Sequence, residues 1–165
     1  MPKSHTMCGT PEYLAPEFIT SEGHDHTADL WALGVMIHEL VMSTSPFSSG
    51  GNMTALFTNI VTTMYGGVKI SKEFDEKAGG PLVANLVRAL CAFKGNERLG
   101  GKAQGMDEVK GFALFADFDF DALVGREMSA PWKPHPDELD GLREQEEVRD
   151  VEPYTGDEDV FASFG

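Results

Sequence analysis

Between Thr27 and Met42, apolar residues fall on nearly every face of a helical wheel. The stretch TADLWALGVMIHELVM sets Leu30, Trp31, Leu33, Val35, Met36, Ile37, Leu40 and Val41 so densely that no polar stripe remains. A helix apolar all round must be enclosed by protein, because any uncovered side holds large apolar area in water. The pattern therefore predicts a central helix that needs neighbours on every side, with Thr27 as N-cap and Asp29 in its first turn. That is more than the later helices and a loop of this chain supply, so exposed apolar surface is expected. The turn chemistry of STSPFSSGG ends it.

Three helical patterns follow. Behind Asn52 as cap, NMTALFTNIVTTM puts Met53, Leu56, Phe57, Ile60, Val61 and Met64 at helical spacing. PLVANLVRALCAF starts on Pro81 and gathers Leu82, Val83, Leu86, Val87, Leu90 and Cys91 on one face. MDEVKGFALFADF predicts a shorter helix with Val109, Phe112 and Phe115 on one side. Ahead of all of them, Pro2, Gly9, Pro11 and Pro16 rule out a regular helix and imply an ordered loop. Strand signals are nearly absent, so the fold class is mainly α.

Charge separates the ends of the chain. The formal net charge is −14, from 27 acids and 13 bases in 165 residues. Residues 135–165 hold 11 acids and 2 bases (−9), leaving 16 acids and 11 bases (−5) for residues 1–134. After APWKP (130–134) the apolar content falls, and the end reads as an extended acidic tail closing on DVFASFG, where Phe161 and Phe164 look like a docking plug. Nucleic acid and anionic membrane are disfavoured as partners, since phosphate neutralisation needs clustered Lys and Arg, and basic peptides fit better. Two cysteines, Cys8 and Cys91, make no disulfide framework and point to a reducing, intracellular setting. No signal-peptide core or membrane-length apolar run occurs.

The motifs now fall in a known order: CGTPEYLAPE, ADLWALGVMIHEL, SPF, then ERLG. In that order they resemble the C-terminal lobe of a eukaryotic protein kinase of the AGC group, from the end of the activation loop through the C-terminal tail. SEGHDHTAD and NERLG are most similar to the cGMP-dependent branch, with the cAMP-dependent branch next. The resemblance implies an incomplete helical large lobe. Residues 1–26 would be the end of the activation segment, 27–130 the helical body and 131–165 the tail. The chain then looks like a fragment, or a partial gene model, of a longer kinase.

By the same resemblance Thr6 is the activation-loop phosphosite, where phosphate adds about −1.5 to −2 charges and three acceptors. Met7, Cys8, Gly9, Thr10, Pro11 and Leu14 shape the pocket for the residue after the phosphorylated one, and Glu12 with Glu39 receive substrate arginine. Glu17 and Arg98 form a structural ion pair. Asp29 braces the catalytic loop and Trp31 fixes the central helix. Phe161 and Phe164 resemble the group's hydrophobic plug, whose pocket lies in the small lobe.

The expected partners are basic peptide or protein substrates, the missing N-terminal lobe and an upstream activating kinase. ATP and Mg²⁺ serve the intact kinase. The Gly-rich loop, β3 lysine, catalytic-loop Asp and Asn, and DFG aspartate that phosphoryl transfer needs do not occur in these 165 residues. No catalytic residue is expected in this chain, and neither nucleotide binding nor turnover by it alone. A non-catalytic peptide-docking or decoy module is the alternative. No metal is expected: HDH (24–26) reads as a polar turn, HELVM (38–42) lacks the second histidine of a zinc-protease motif, and GGKAQG (100–105) reads as a surface turn.

Overall fold

The computed structural model describes residues 3–135, and it divides into two compact units, the first ending at Phe120 and the second beginning at Asp121. Six helices lie within the first unit: α1 (Pro16–Ile19), α2 (Thr27–Met42), α3 (Met53–Val61), α4 (Lys72–Lys77), α5 (Pro81–Leu90) and α6 (Met106–Lys110). The seventh, α7 (Phe120–Val124), straddles the division. Among the described residues there is no strand, only an isolated antiparallel bridge between Ser4 and His24.

The predicted cap on α2 is corrected by one residue: Thr27 is the first residue of the helix and His26 its N-cap, with no side-chain cap bond. Just ahead of it, Asp25 Oδ1 accepts from Thr27 N at 2.9 Å and from Thr27 Oγ1 at 2.6 Å. Those two bonds hold the Asp25 carboxyl below its ordinary pKa. The carboxylate also sits at the positive end of the helix dipole. Asn52 caps α3 as expected, accepting from Ala55 N at 3.0 Å, and Pro81 opens α5. Short α4, missed in the hydrophobic pattern, is capped by Ser71 through Phe74 N at 3.2 Å and drives Phe74 fully into the core.

The core forms where α2 lies against α5. Trp31 and Val35 of α2 meet Ala84, Val87 and Cys91, with Ile60 of α3 and Phe74 of α4 closing the cluster. Gly34 sets the approach: a Cβ there would fall 2.5 Å from Cys91 Sγ and 3.1 Å from Leu90 Cβ. Trp31 stacks on Phe47 at 5.2 Å between ring centroids. A second cluster joins Leu30, Leu86, Leu90 and Val109.

Three apolar assignments are corrected. The face of α5 includes Ala84 rather than Leu82, which is exposed in the first turn. Met53 and Met64 point outward at either end of α3 and the 3-10 turn after it. α6 stops before Gly111, so Phe112 and Phe115 reach the second cluster from a separate 3-10 turn region.

The central helix is not buried on every side. Trp31 and Val35 are fully buried, but Asp29 is exposed, Met36 is 42% exposed and Leu40 76%. Among the described residues α4, α5 and the turns at Pro11–Tyr13 and Gly95–Glu97 contact α2, while the flank of Asp29, Met36 and Leu40 stays exposed. In the second unit, Gly125 N and Glu127 N close α7 onto Asp121 O and Ala122 O at 2.8 and 2.9 Å. Phe161 and Phe164 lie outside the described residues.

Candidate functional site

The segment from Thr6 to Glu17 is an exposed arm fixed to a buried anchor. Residues 3–10 are exposed throughout, Thr6, Cys8 and Thr10 among them, with Met7 at 59%. The chain then tightens into a 3-10 turn at Pro11–Tyr13, closed by Tyr13 N to Thr10 O at 3.0 Å, and Leu14, Ala15 and Pro16 plunge into the core. Gly9 adopts φ +108, open to glycine and strained for other residues; a Cβ there would rest 3.9 Å from Leu14 Cδ2. Of the six residues expected to shape the pocket, Met7, Cys8, Gly9 and Thr10 are exposed, Pro11 is half-buried and Leu14 is buried.

Thr6 is tied indirectly to the body. Ser4 and His24 exchange both backbone bonds at 2.9 Å, and Lys3 Nζ donates to Glu22 O at 3.3 Å. His24 in turn stacks on Phe18 of α1, 4.0 Å between centroids. The HDH triplet is thereby accounted for by structural work: His24 stacks, Asp25 accepts from Thr27, and His26 lies 3.9 Å from Asp25.

Glu39 is held by Tyr13, the neighbour of Glu12 in the chain. Tyr13 OH donates a short hydrogen bond to Glu39 Oε2, reaching from the 3-10 turn to α2. That bond raises the phenol's pKa above its ordinary value, with desolvation and the charges of Glu39 and Glu12 adding to it. Glu12 and Glu39 are both half-buried, and Glu39 accepts the phenol's hydrogen bond beside the exposed arm. Such a pair can receive a guanidinium bidentately. Tyr13 stands inside CGTPEYLAPE, and the signal that could have found it is its place two residues after the turn-forming proline.

Glu17 and Arg98 meet as expected across 81 positions of sequence. Arg98 NH1 and NH2 donate to Glu17 Oε1 and Oε2 at 2.7 and 2.6 Å. The remaining donors go to backbone: NH1 to Thr27 O (2.8 Å), NH2 to Phe93 O (3.1 Å) and Nε to Ala92 O (2.9 Å). All five N–H groups are satisfied. Arg98 is fully buried, with its Cζ 5.2 Å from the Trp31 ring centroid. One guanidinium thus ties α1, the start of α2 and the 92–98 loop together. The pKa of the nearby Cys91 thiol is pushed up to about 12 by burial, against a small opposing pull from Arg98.

Asp29 lies on the uncovered flank of α2, and Trp31 in the core. The Gly-rich turn at 100–105 does not fit a nucleotide phosphate. Gly100 N already donates to Glu108 Oε2 at 2.9 Å and Gly105 N to Lys102 O at 2.9 Å, so a carboxylate holds the place a phosphate would need.

A family model of the protein kinase domain matches residues 1–109, and the chain belongs to that family. Its relatives include cGMP-dependent protein kinases: isozyme 1 of Drosophila melanogaster is 36% identical over 130 residues, 79% of this chain and 16% of that protein. The cGMP-dependent protein kinase egl-4 of Caenorhabditis elegans is 33% identical over 158 residues, 96% of this chain and 19% of that protein. Ribosomal protein S6 kinase 2 alpha of Xenopus laevis is 35% identical over 133 residues, 80% of this chain and 17% of that protein. The chain thus spans under a fifth of the length of these relatives. No helix among the described residues is long and apolar enough to cross a membrane.

Proposed function

We propose that this chain supplies the peptide-docking face and activation switch of a serine/threonine kinase of the cGMP-dependent type. In a complete kinase, ATP with Mg²⁺ provides the γ-phosphate, and this portion presents the acceptor Ser or Thr of a protein whose target lies near arginine. Thr6 is the phosphosite for an upstream activating kinase, on an arm anchored through Ser4 and His24. Met7 to Pro11 and Leu14 receive the residue after the target.

The observation that carries this reading is Glu39 held by the phenol of Tyr13, the chain neighbour of Glu12, beside an exposed arm of a mildly acidic body. A charge-assisted hydrogen bond contributes about 1.5–3 kcal/mol, which is roughly 10- to 100-fold in affinity. Calorimetry with a serine peptide carrying two upstream arginines should show binding to this chain that falls by that factor when the arginines become alanine. Glu39→Gln should produce a comparable loss. Equal affinity for both peptides would count against the reading. The same titration with Mg-ATP alone should show no heat, consistent with the absence of a phosphate cradle at 100–105.

A further inference from the structure

The arm that carries Thr6 is latched to the turn ahead of α2, and the latch is slight. Ser4 and His24 exchange two backbone bonds at 2.9 Å in an isolated bridge, and Lys3 Nζ donates to Glu22 O at 3.3 Å. Thr6 N donates to Ser4 Oγ at 3.4 Å, so Thr6 takes its place from the bridged residue. Beyond the bridge a cleft of about 190 Å³ opens between His5 and Met7 of the arm and Phe18 and Ser21 of the body. A single bridge with no ladder around it is marginal by itself.

Charge runs one way across this latch. The antiparallel register that sets Ser4 opposite His24 carries Lys3 toward Asp25, His5 toward Gly23 and Thr6 toward Glu22. The approach is close at its centre: a Cβ on Gly23 would fall 2.8 Å from His5 Cε1 and 3.0 Å from Lys3 Cβ. The Asp25 carboxyl, held below its ordinary pKa chiefly by its bonds to Thr27, is lowered further by the charge of Lys3. Lys3 is the only Lys or Arg among residues 3–10, and Glu22 and Asp25 are the acids of the turn it meets. A positive arm lies on a negative turn.

We propose that phosphate on Thr6 opens this latch, so that the bridge to His24 holds only the unphosphorylated arm. The inference rests on the reading of Thr6 as a phosphosite. An activating kinase joins Thr6 Oγ1 to the γ-phosphorus of ATP. The bond from that phosphorus to the oxygen shared with the β-phosphate breaks, the oxygen keeps the electron pair, ADP leaves and the hydroxyl proton is lost. Because phosphate brings about −1.5 to −2 charges, the arm turns from net positive to net negative. By register the phosphate faces Glu22, and it competes with the Glu22 carbonyl for Lys3, three residues away. Like charges then meet where opposite charges did. Once freed, the arm can carry its phosphate to cations outside this chain.

Cys8 allows a test that needs no kinase. A thioester of residues 1–7 bearing phosphothreonine at position 6, ligated to a chain that begins at Cys8, gives all 165 residues with the phosphate in place. The same ligation without phosphate is the control. Hydrogen exchange is read at the amides of Ser4 and His24, the two donors of the bridge. Phosphate should speed both by about fivefold or more in low salt, leave amides inside α5 unchanged, and do less in high salt. Glu22→Gln, at an exposed position, should return part of the protection to the phosphorylated chain. Gly23→Ala, which pushes His5 off the turn, marks the rates of an open latch without phosphate. Equal or slower exchange in the phosphorylated chain overturns the proposal, as does an effect of phosphate that Glu22→Gln leaves untouched. Failure of an activating kinase to modify Thr6 would show separately, because the ligated protein carries its phosphate without one.

Discussion

Arg98 shows what a single side chain does when every donor on it has an acceptor. Its guanidinium holds Glu17 and three carbonyls from two further segments, and no other residue type can present five donors in one plane. Arg98→Met removes the charge and strands Glu17, and should therefore destabilise the chain by about 3–5 kcal/mol, measured as a drop in the urea unfolding midpoint. Glu17→Gln should cost a large fraction of that, and the double variant should cost less than the sum, since both changes break the same pair. Wild-type stability in the Arg98→Met variant would mean that the pair contributes little. The two cysteines make a second contrast at this scale. Cys91 is buried with the pKa of its thiol pushed up to about 12, whereas Cys8 is exposed. At pH 8 iodoacetamide should add one label to the native protein, at Cys8, and two in urea, read by mass spectrometry. Rapid native labelling of Cys91 would show that α2 and α5 open easily.

At the level of elements, the contact between α2 and α5 depends on an absent side chain. Gly34→Ala would place a methyl 2.5 Å from Cys91 Sγ, and the fully packed surroundings leave it nowhere to go. Overpacking of this kind typically costs about 1–3 kcal/mol. Adding Cys91→Ala should return part of it, although Leu90 Cβ remains at 3.1 Å, and full additivity of the two losses would exclude the steric account. The long helices were legible because their apolar density exceeds what any loop carries. What escaped was local. Thr27 falls inside α2 and not at its cap, because Asp25 takes both the N–H and the hydroxyl of Thr27 and leaves His26 as the N-cap. The helix α4 carries one buried apolar residue, Phe74, so its six residues give no periodicity to read. Leu82 weighed more than Ala84 on a hydrophobic wheel, yet only a small side chain fits in the packed cluster shared with Trp31. The site followed the same division: Glu17 and Arg98 were readable from the motif order, while the role of Tyr13 became visible only once the 3-10 turn had set its phenol against α2.

For the molecule as a whole, the central helix poses an energetic question that its sequence states and its surroundings answer only in part. One side is buried among α4 and α5, but Met36 and Leu40 stand in water with Leu33 and Ile37 half-covered beside them. At about 25 cal/mol per Å² an uncovered apolar strip leaves a hydrophobic contribution unrealised, and surfaces of this kind mark contacts or drive aggregation. The relatives are more than five times longer than the part this chain matches, so in a complete kinase there is ample polypeptide to lie on that flank. The chain by itself should bind the dye ANS while still showing cooperative unfolding, because the exposed strip is part of a packed helix and not of a loosened core. Met36→Lys combined with Leu40→Lys should cut the ANS signal severalfold and leave the unfolding midpoint nearly unchanged, since neither side chain fills a core position. If the midpoint fell along with the dye signal, the flank would have to be packed against something in solution, and the uncovered side of α2 would be the wrong description of it.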